Sequence, residues 1–236
     1  MRAAVLIPTY DRAHMLADAL SSLARQTEPC EVYVYDDGST DDTRDVVAAF
    51  PGVRYLRREH LGMTAAFNAG VAWVLEESDC PYIAWLGSDD AYHPMSVRAR
   101  ADLLDDADVA FSGLQFCTGG FPRYGKAHQI DISRYSDAFS TFQGKVHTGT
   151  AMFRRECWIP WHEEIVTGGA DLLWVYECWH AGLRFAYTPQ VLYSVRRHPG
   201  RQIEQRRKMD QTAVKRELEK VYWPLVRRIG GAACGV

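Results

Sequence analysis

Of the four pairs of adjacent aspartates in this chain, two follow apolar runs that read as strands: Asp36-Asp37 in VYDDGSTDDT and Asp89-Asp90 in WLGSDD. A strand end or helix cap needs one carboxylate to accept backbone N–H groups. The second of a pair is then free to accept from a ligand, for example the N–H of a nucleobase. A carboxylate cannot by itself hold phosphate, so nucleotide phosphates at the same rim would require a hard divalent cation, Mg²⁺ or Mn²⁺, in between. Two later stretches carry chemistry of other kinds. Asp171 in GGADLLW opens a helical pattern, where a carboxylate can complement the helix dipole or take a proton from a hydroxyl. The stretch YSVRRHP ends in Arg196, Arg197 and His198, side chains suited to a diphosphate or a metal.

These residues need elements to hold them. Ala3 to Ile7 is a continuous aliphatic run ended by Pro8-Thr9-Tyr10-Asp11, and Ala13, Leu16, Leu20 and Leu23 follow at helical spacing. Val32 to Tyr35 reads as a second strand, Ser39 or Asp41 as the cap of a helix running to Phe50, and Val53 to Leu56 as a third strand. Gly62 to Leu75 is helical in period and Tyr82 to Leu86 is a fourth strand. Such alternation implies parallel strands with crossover helices. Ligands of such sheets bind beyond the carboxyl ends of the strands, where Thr9, Asp37 and Asp89 all fall. In the second half, Val109–Phe111, Val146–Phe153, Arg184–Tyr187 and Val191–Val195 read as strands, and Ala170–His180 as a helix. The loop Cys117-Thr118-Gly119-Gly120-Phe121-Pro122 marks a boundary between halves, and a polar helix is expected from about residue 201 to Trp223, ended or kinked by Pro224.

Composition narrows the classes. The 236 residues, 47% hydrophobic and 24% charged with a net charge of -3, describe an ordinary α/β protein and argue against nucleic acid as a partner. The six cysteines, Cys30, Cys80, Cys117, Cys157, Cys178 and Cys234, have no zinc-site spacing and read as reduced thiols of a cytoplasmic protein. The apolar run before Pro8 is too short for a signal peptide or a membrane span. Neither GxGxxG nor GxxxxGK[ST] occurs, which disfavours a dehydrogenase or P-loop enzyme.

Taken in order, PTYDR, VYDDGSTDDT, GMTAAFNAG, SDD, ADLLW and VRRH resemble the family 2 inverting nucleotide-sugar glycosyltransferases of the GT-A fold, over nearly the whole chain up to about Gly200. The resemblance implies a Rossmann-like, mostly parallel central sheet flanked by helices, with a smaller mixed acceptor-side half and a C-terminal helix. It also implies one GT-A domain over 1–199, with a nucleotide-binding half to about 117 and an acceptor half from about 118, followed by a helical extension over 200–236. Pro8, Thr9, Tyr10, Asp11, Asp37 and Asn68 are expected around the nucleoside, with Asp37 on the base, and Ser88, Asp89 and Arg196 around ribose and diphosphate. Asp89, Asp90 and His198 are the expected ligands of Mn²⁺ or Mg²⁺. Asp171 is the expected general base. The sequence departs from the family at two acids: Gly87 stands where the first acid of its Asp-x-Asp element belongs, and Ala170 where a Glu precedes the base.

The expected activity is that of a metal-dependent, hexosyltransferase-type enzyme that moves a sugar with inversion from a nucleotide-diphosphate donor, a UDP-sugar by expectation, to an acceptor hydroxyl. No enzyme nucleophile is required, and no Ser, Cys or His stands in a nucleophile motif. The alternatives are a nucleotidyltransferase on a similar fold and a catalytically impaired sugar-nucleotide-binding protein. Glycans, lipid-linked acceptors and proteins are all open as acceptors, and Trp158, Trp161, Trp174 and Trp179 offer aromatic faces for one, with Trp158 and Trp179 reading equally well as core. The stretch from Arg201 to Arg228 is rich in Lys and Arg and contains Val221, Tyr222, Trp223, Leu225 and Val226. It is expected either to rest on the inner face of an anionic membrane or to pack, including as a homodimer helix.

Overall fold

The computed structural model describes residues 1–117, 124–128, 147–165, 169–199 and 218–233. Strands β1 (Ala3–Thr9), β2 (Glu31–Asp36), β3 (Val53–Arg57) and β4 (Tyr82–Trp85) alternate with helices α1 (Ala13–Ala24), α2 (Thr43–Ala48) and α3 (Met63–Glu77). Then come β5 (Ala91–Tyr92), α4 (Ser96–Leu103), β6 (Val109–Cys117), β7 (Tyr124–His128), β8 (Met152–Arg154), α5 (Ala170–His180), β9 (Phe185–Arg196) and α6 (Trp223–Ala233). One mixed sheet runs β3-β2-β1-β4-β8-β6-β9-β5, and β7 pairs with β6.

Strand periodicity builds two cores, one on each face of the sheet. Along β1, Ala4 and Leu6 face the layer that holds Phe67, Val71 and Val74 of α3 and Leu173 and Trp174 of α5, whereas Ala3, Val5 and Ile7 face Leu16, Leu20 and Leu23 of α1. β4 divides in the same way, with Ile83 and Trp85 on the first face and Tyr82 and Ala84 on the second. Both faces are therefore covered, which is why these strands read as unbroken apolar runs. Trp161 and Trp174, offered above as acceptor faces, are buried in the first core, Trp158 packs against it, and Trp179 is exposed.

Strand direction brings the functional loops to one edge. β2, β1 and β4 are mutually parallel. β8 is antiparallel to both β4 and β6, and β9 is parallel to β6. The carboxyl ends of β1, β2, β4 and β9 thus share an edge, and the loops that follow them begin at Tyr10, Asp37, Leu86 and Arg197.

Three sequence-based expectations are corrected. The strand expected over Val146–Phe153 is reduced to β8, and Thr148–Thr150 form a 3-10 turn instead, closed by Thr150 N–H and Oγ1 on the His147 carbonyl, both at 2.9 Å. The two strands expected at 184–187 and 191–195 are one strand, β9, with a register irregularity opposite Ser112–Leu114. Gly113 permits it, since a Cβ there would lie 2.8 Å from the Pro189 carbonyl oxygen and 2.9 Å from that of Gln190. The helix expected to end or kink at Pro224 continues through it but changes type there: a π-helical turn over Leu218–Tyr222 passes directly into α6, and Pro224 is the second residue of α6. The loop after Cys117 and the basic stretch over 201–217 lie outside the described residues.

Candidate functional site

The β1–α1 loop, Tyr10-Asp11-Arg12, ties the two acidic loops together. Asp11 sits at φ 48°, a conformation Asp tolerates better than most residues, and there its N–H meets Ser39 Oγ at 2.9 Å while its Oδ1 accepts from Thr40 N at 2.7 Å. Arg12, next along, donates from Nη1 to Asp89 Oδ2 at 3.1 Å, and the same nitrogen lies 3.4 Å from His198 Nε2. His198 Nε2 itself is 2.8 Å from Asp89 Oδ2. Three residues from three loops therefore meet at one carboxylate oxygen. Burial, the largest influence on Asp89, pushes its carboxyl up, but the bond from His198 and the charge of Arg12 outweigh it and hold the group below the usual carboxylate range.

The first acidic cluster is used mainly to build the rim. Asp36, 1% exposed, accepts from Ser39 N at 2.7 Å and from the Tyr55 hydroxyl. Asp37, expected on a nucleobase, accepts from Leu61 N at 2.7 Å and from Gly62 N at 3.1 Å, with His60 Nδ1 at 2.9 Å from its Oδ2. It thereby fixes the entry to α3. Asp41, expected as the cap of α2, accepts from Ala13 N at 2.9 Å and Thr43 N at 3.1 Å and so ties the starts of α1 and α2 together, while the N-cap position itself is Asp42, which makes no side-chain cap bond. His60 also stacks on Tyr10, with ring centroids 4.2 Å apart, and both rings are exposed. Thr9 is buried, and its hydroxyl has no hydrogen-bond partner among the described residues.

Several expected site residues are engaged elsewhere. Asn68, expected near the nucleoside, donates to the Trp161 carbonyl at 2.8 Å and to Glu163 at 3.0 Å and accepts from Trp161 N at 2.8 Å, so both of its donors hold the 158–165 segment. Arg196 pairs with Asp18 of α1, while its backbone N–H donates to Asp90 Oδ1 at 2.9 Å. Asp90 is buried and also accepts from the Tyr193 hydroxyl at 2.8 Å. Its two oxygens are turned inward to β9, and the expected metal ligand is a tie between loop and strand. Burial and the Asp90 charge push the Tyr193 hydroxyl well above its ordinary pKa. Pro8 lies within β1 opposite Tyr35, and Ser88 is buried in the turn before Asp89.

A divalent cation fits part of the expected set. Asp89 and His198 supply an oxygen and a nitrogen donor side by side, a pair that suits Mn²⁺. Among the described residues no group of three or more His, Cys, Asp or Glu converges as a metal cage. A cation with two protein ligands takes its remaining positions from water and substrate phosphates, the usual pattern for nucleotide enzymes.

Asp171 occupies the first turn of α5 and accepts from the Thr148 hydroxyl. The 3-10 turn that carries Thr148 abuts Tyr193, because a Cβ on Gly149 would lie 3.0 Å from the Tyr193 hydroxyl oxygen. Tyr193 in turn holds Asp90, and so joins the Asp171 side of the site to the Asp89 side. Sequence reasoning gave no role to Arg12, His60 or Thr148. Only Arg12 lay inside a quoted motif, PTYDR; the partners of the other two come from distant loops.

Known proteins agree with this architecture. The S. aureus TarS 1–349 structure with UDP-GlcNAc superposes with a TM-score of 0.70 at 19% identity, over 86% of this chain and 60% of that one. The same protein with UDP gives 0.68 at 18% identity, over 94% and 73%. Among curated sequences, an uncharacterized glycosyltransferase of Rickettsia prowazekii is 26% identical over 59% of this chain and 47% of its own length. Validoxylamine A glucosyltransferase of Streptomyces hygroscopicus subsp. jinggangensis is 40% identical over 40% of this chain and 24% of its own. The chain thus spans half or less of these curated relatives. Residues 4–160, more than half of the chain, match the model of Glycosyl transferase family 2, and with the GT-A fold already traced through its sheet, the chain belongs to that family.

Proposed function

We propose that the protein transfers a sugar, with inversion, from a nucleotide-diphosphate donor to an acceptor hydroxyl, and that the donor is a UDP-sugar. The observation that carries the reading is the meeting of Arg12, Asp89 and His198 at the edge that also bears Thr9 and the Tyr10–His60 stack. A cation-binding centre and an aromatic platform side by side suit a diphosphate joined to a base. The choice of uridine leans on the likeness to TarS, which binds UDP and UDP-GlcNAc.

In this reading Asp89 and His198 would hold a divalent cation, which would supply positive charge to offset that developing on the departing diphosphate. Arg12 adds a second positive charge beside it. Tyr10 and His60 offer ring faces to the base. Asp171 takes the proton from the acceptor hydroxyl as the new glycosidic bond forms, and the anomeric C–O bond to diphosphate breaks on the opposite side, so one displacement inverts the centre. The acceptor half of the domain would supply the acceptor's own contacts.

The test is a donor screen that follows UDP or GDP release across sugar nucleotides, with candidate acceptors added in turn, with Mn²⁺ and with chelator. Acceptor-stimulated release of UDP supports the reading. Tight UDP-sugar binding without release under any acceptor would instead favour a binding protein.

A further inference from the structure

Arg100 of α4 is the only fully buried guanidinium among the described residues, and every hydrogen bond it makes goes to a neutral oxygen. Nε and Nη2 bind the Ser96 carbonyl and hydroxyl at 3.1 and 3.0 Å. Nη1 reaches across to the carbonyls of Thr150 and Ala151 at 2.9 and 3.2 Å, and the guanidinium lies 4.3 Å from the centre of the Tyr92 ring. Burying a charge is costly, and no carboxylate bound to this one offsets it. What the interaction secures is the carboxyl end of the 3-10 turn Thr148–Thr150. The amino end of that turn carries Thr148, itself buried, whose hydroxyl donates to Asp171 Oδ2. Oδ1 of Asp171 accepts no hydrogen bond from the described residues.

We propose that Thr148, on a turn clamped by Arg100, is a positioning residue for Asp171: its hydroxyl fixes Oδ2 and leaves Oδ1 to face the acceptor. The inference rests on the reading of Asp171 as the base. A carboxylate at a helix start with no other side-chain partner would otherwise be free to rotate about its side-chain torsions, and a base misplaced by about 1 Å can lose up to about a hundredfold in rate. Thr148 has the right chemistry for the task, because it donates one hydrogen bond and carries no charge that would neutralise the base.

The experiment compares Thr148→Val, Thr148→Ser and Asp171→Asn in the full chain. The carboxyl ¹³C resonance of Asp171, identified by its loss in Asp171→Asn, is recorded at neutral pH, and UDP release is followed from UDP-glucose and UDP-N-acetylglucosamine. Thr148→Val is expected to move the resonance and to lower kcat about tenfold to a hundredfold with donor KM unchanged. Thr148→Ser, which keeps the hydroxyl, is expected to restore both. A Thr148→Val protein with the wild-type resonance overturns the proposal even where no acceptor is yet known. Equal losses in the Val and Ser variants also overturn it, since they would mark a packing role. Full activity of Asp171→Asn would sink the base assignment and this inference together, whereas an inactive Asp171→Asn beside a normal Thr148→Val would sink this inference alone.

Discussion

Asp89 and His198, 109 residues apart in sequence, lie 2.8 Å apart, carboxylate oxygen to imidazole nitrogen, with the Arg12 guanidinium on the same oxygen. Parallel alignment of β4 and β9 brings them together, because both side chains follow strands that end at one edge of the sheet. A cation that binds Asp89 must therefore share or displace an arginine already there. Arg12→Gln is expected to tighten Mn²⁺ binding without nucleotide by about tenfold, since opposing charge of this kind is worth about 1 to 4 kcal/mol in partly solvated surroundings. His198→Ala is expected to weaken it. Titration calorimetry with Mn²⁺ alone checks both, and unchanged affinity in Arg12→Gln would mean that guanidinium and metal do not compete.

Asp171→Asn is expected to lower turnover by about a thousandfold while the fold and donor affinity persist, because an amide cannot accept the acceptor's proton. Turnover with saturating UDP-sugar, alongside a thermal melt, gives the measurement. A variant that turns over normally would move the base elsewhere.

Restoring the family's acid at position 87 is expected to do harm. A Cβ on Gly87 would lie 3.0 Å from Asp89 Oδ1 and 3.0 Å from Asp90 Oδ2, so Gly87→Asp would add a third carboxylate where two already fold back over the turn. Crowding of this kind costs about 1 to 3 kcal/mol. A lower Tm without a gain in metal affinity is the expected outcome; a stable variant with tighter Mn²⁺ binding would show that the turn opens readily.

Much of this arrangement was legible in the sequence, and what was not has identifiable causes. β1 to β4 and α1 to α3 stand close to where apolar runs and helical spacing put them, because both faces of those strands are covered and local pattern and tertiary burial agree. Asp89 with His198 followed from motif order and strand direction. Asp37, Asn68, Asp90 and Arg196 also hold the fold itself, which was not legible because the sequence shows that a side chain is polar but not which backbone groups the fold leaves to satisfy. Leu61 and Gly62 took Asp37, and the Trp161 backbone took Asn68. The turn at Thr148 was hidden because both of its threonines suit a strand and the single Gly149 between them did not mark a break, and its partner Arg100 lies far away in the chain.

Asp41 provides a pH test of the rim. Burial, the largest influence on its carboxyl, pushes it up, but the Thr43 hydroxyl and the N–H groups of Ala13 and Thr43 outweigh burial and lower its pKa. A depressed carboxyl stabilises the fold fully above the ordinary Asp value of about 3.9 and loses that contribution as pH falls through the lower folded value. Asp41→Ala should therefore cost about 1 kcal/mol at neutral pH, the usual worth of a side-chain bond at a helix start, and flatten the acid side of the Tm profile. Parallel profiles for the two proteins would assign the acid sensitivity to another group.

The C-terminal helix separates packing from surface binding. Leu225 and Val226 are each 7% exposed and join the core that contains Leu173 and Trp174 of α5, whereas Trp223 in the same helix is 41% exposed. No described helix is long and apolar enough to cross a membrane. If α6 serves to close the core, Leu225→Ala should cost about 2 to 5 kcal/mol, as buried leucines do, and Trp223→Ala much less. If it rests on an anionic surface, Trp223→Ala should abolish flotation with phosphatidylserine vesicles at low salt while leaving Tm unchanged, because an interfacial aromatic contributes to the lipid contact and not to the core. Burial of Leu225 and Val226 favours the first outcome. A melt of both variants beside vesicle flotation of the intact protein decides it, since a stable Leu225→Ala protein would contradict the packing role whatever the lipid result.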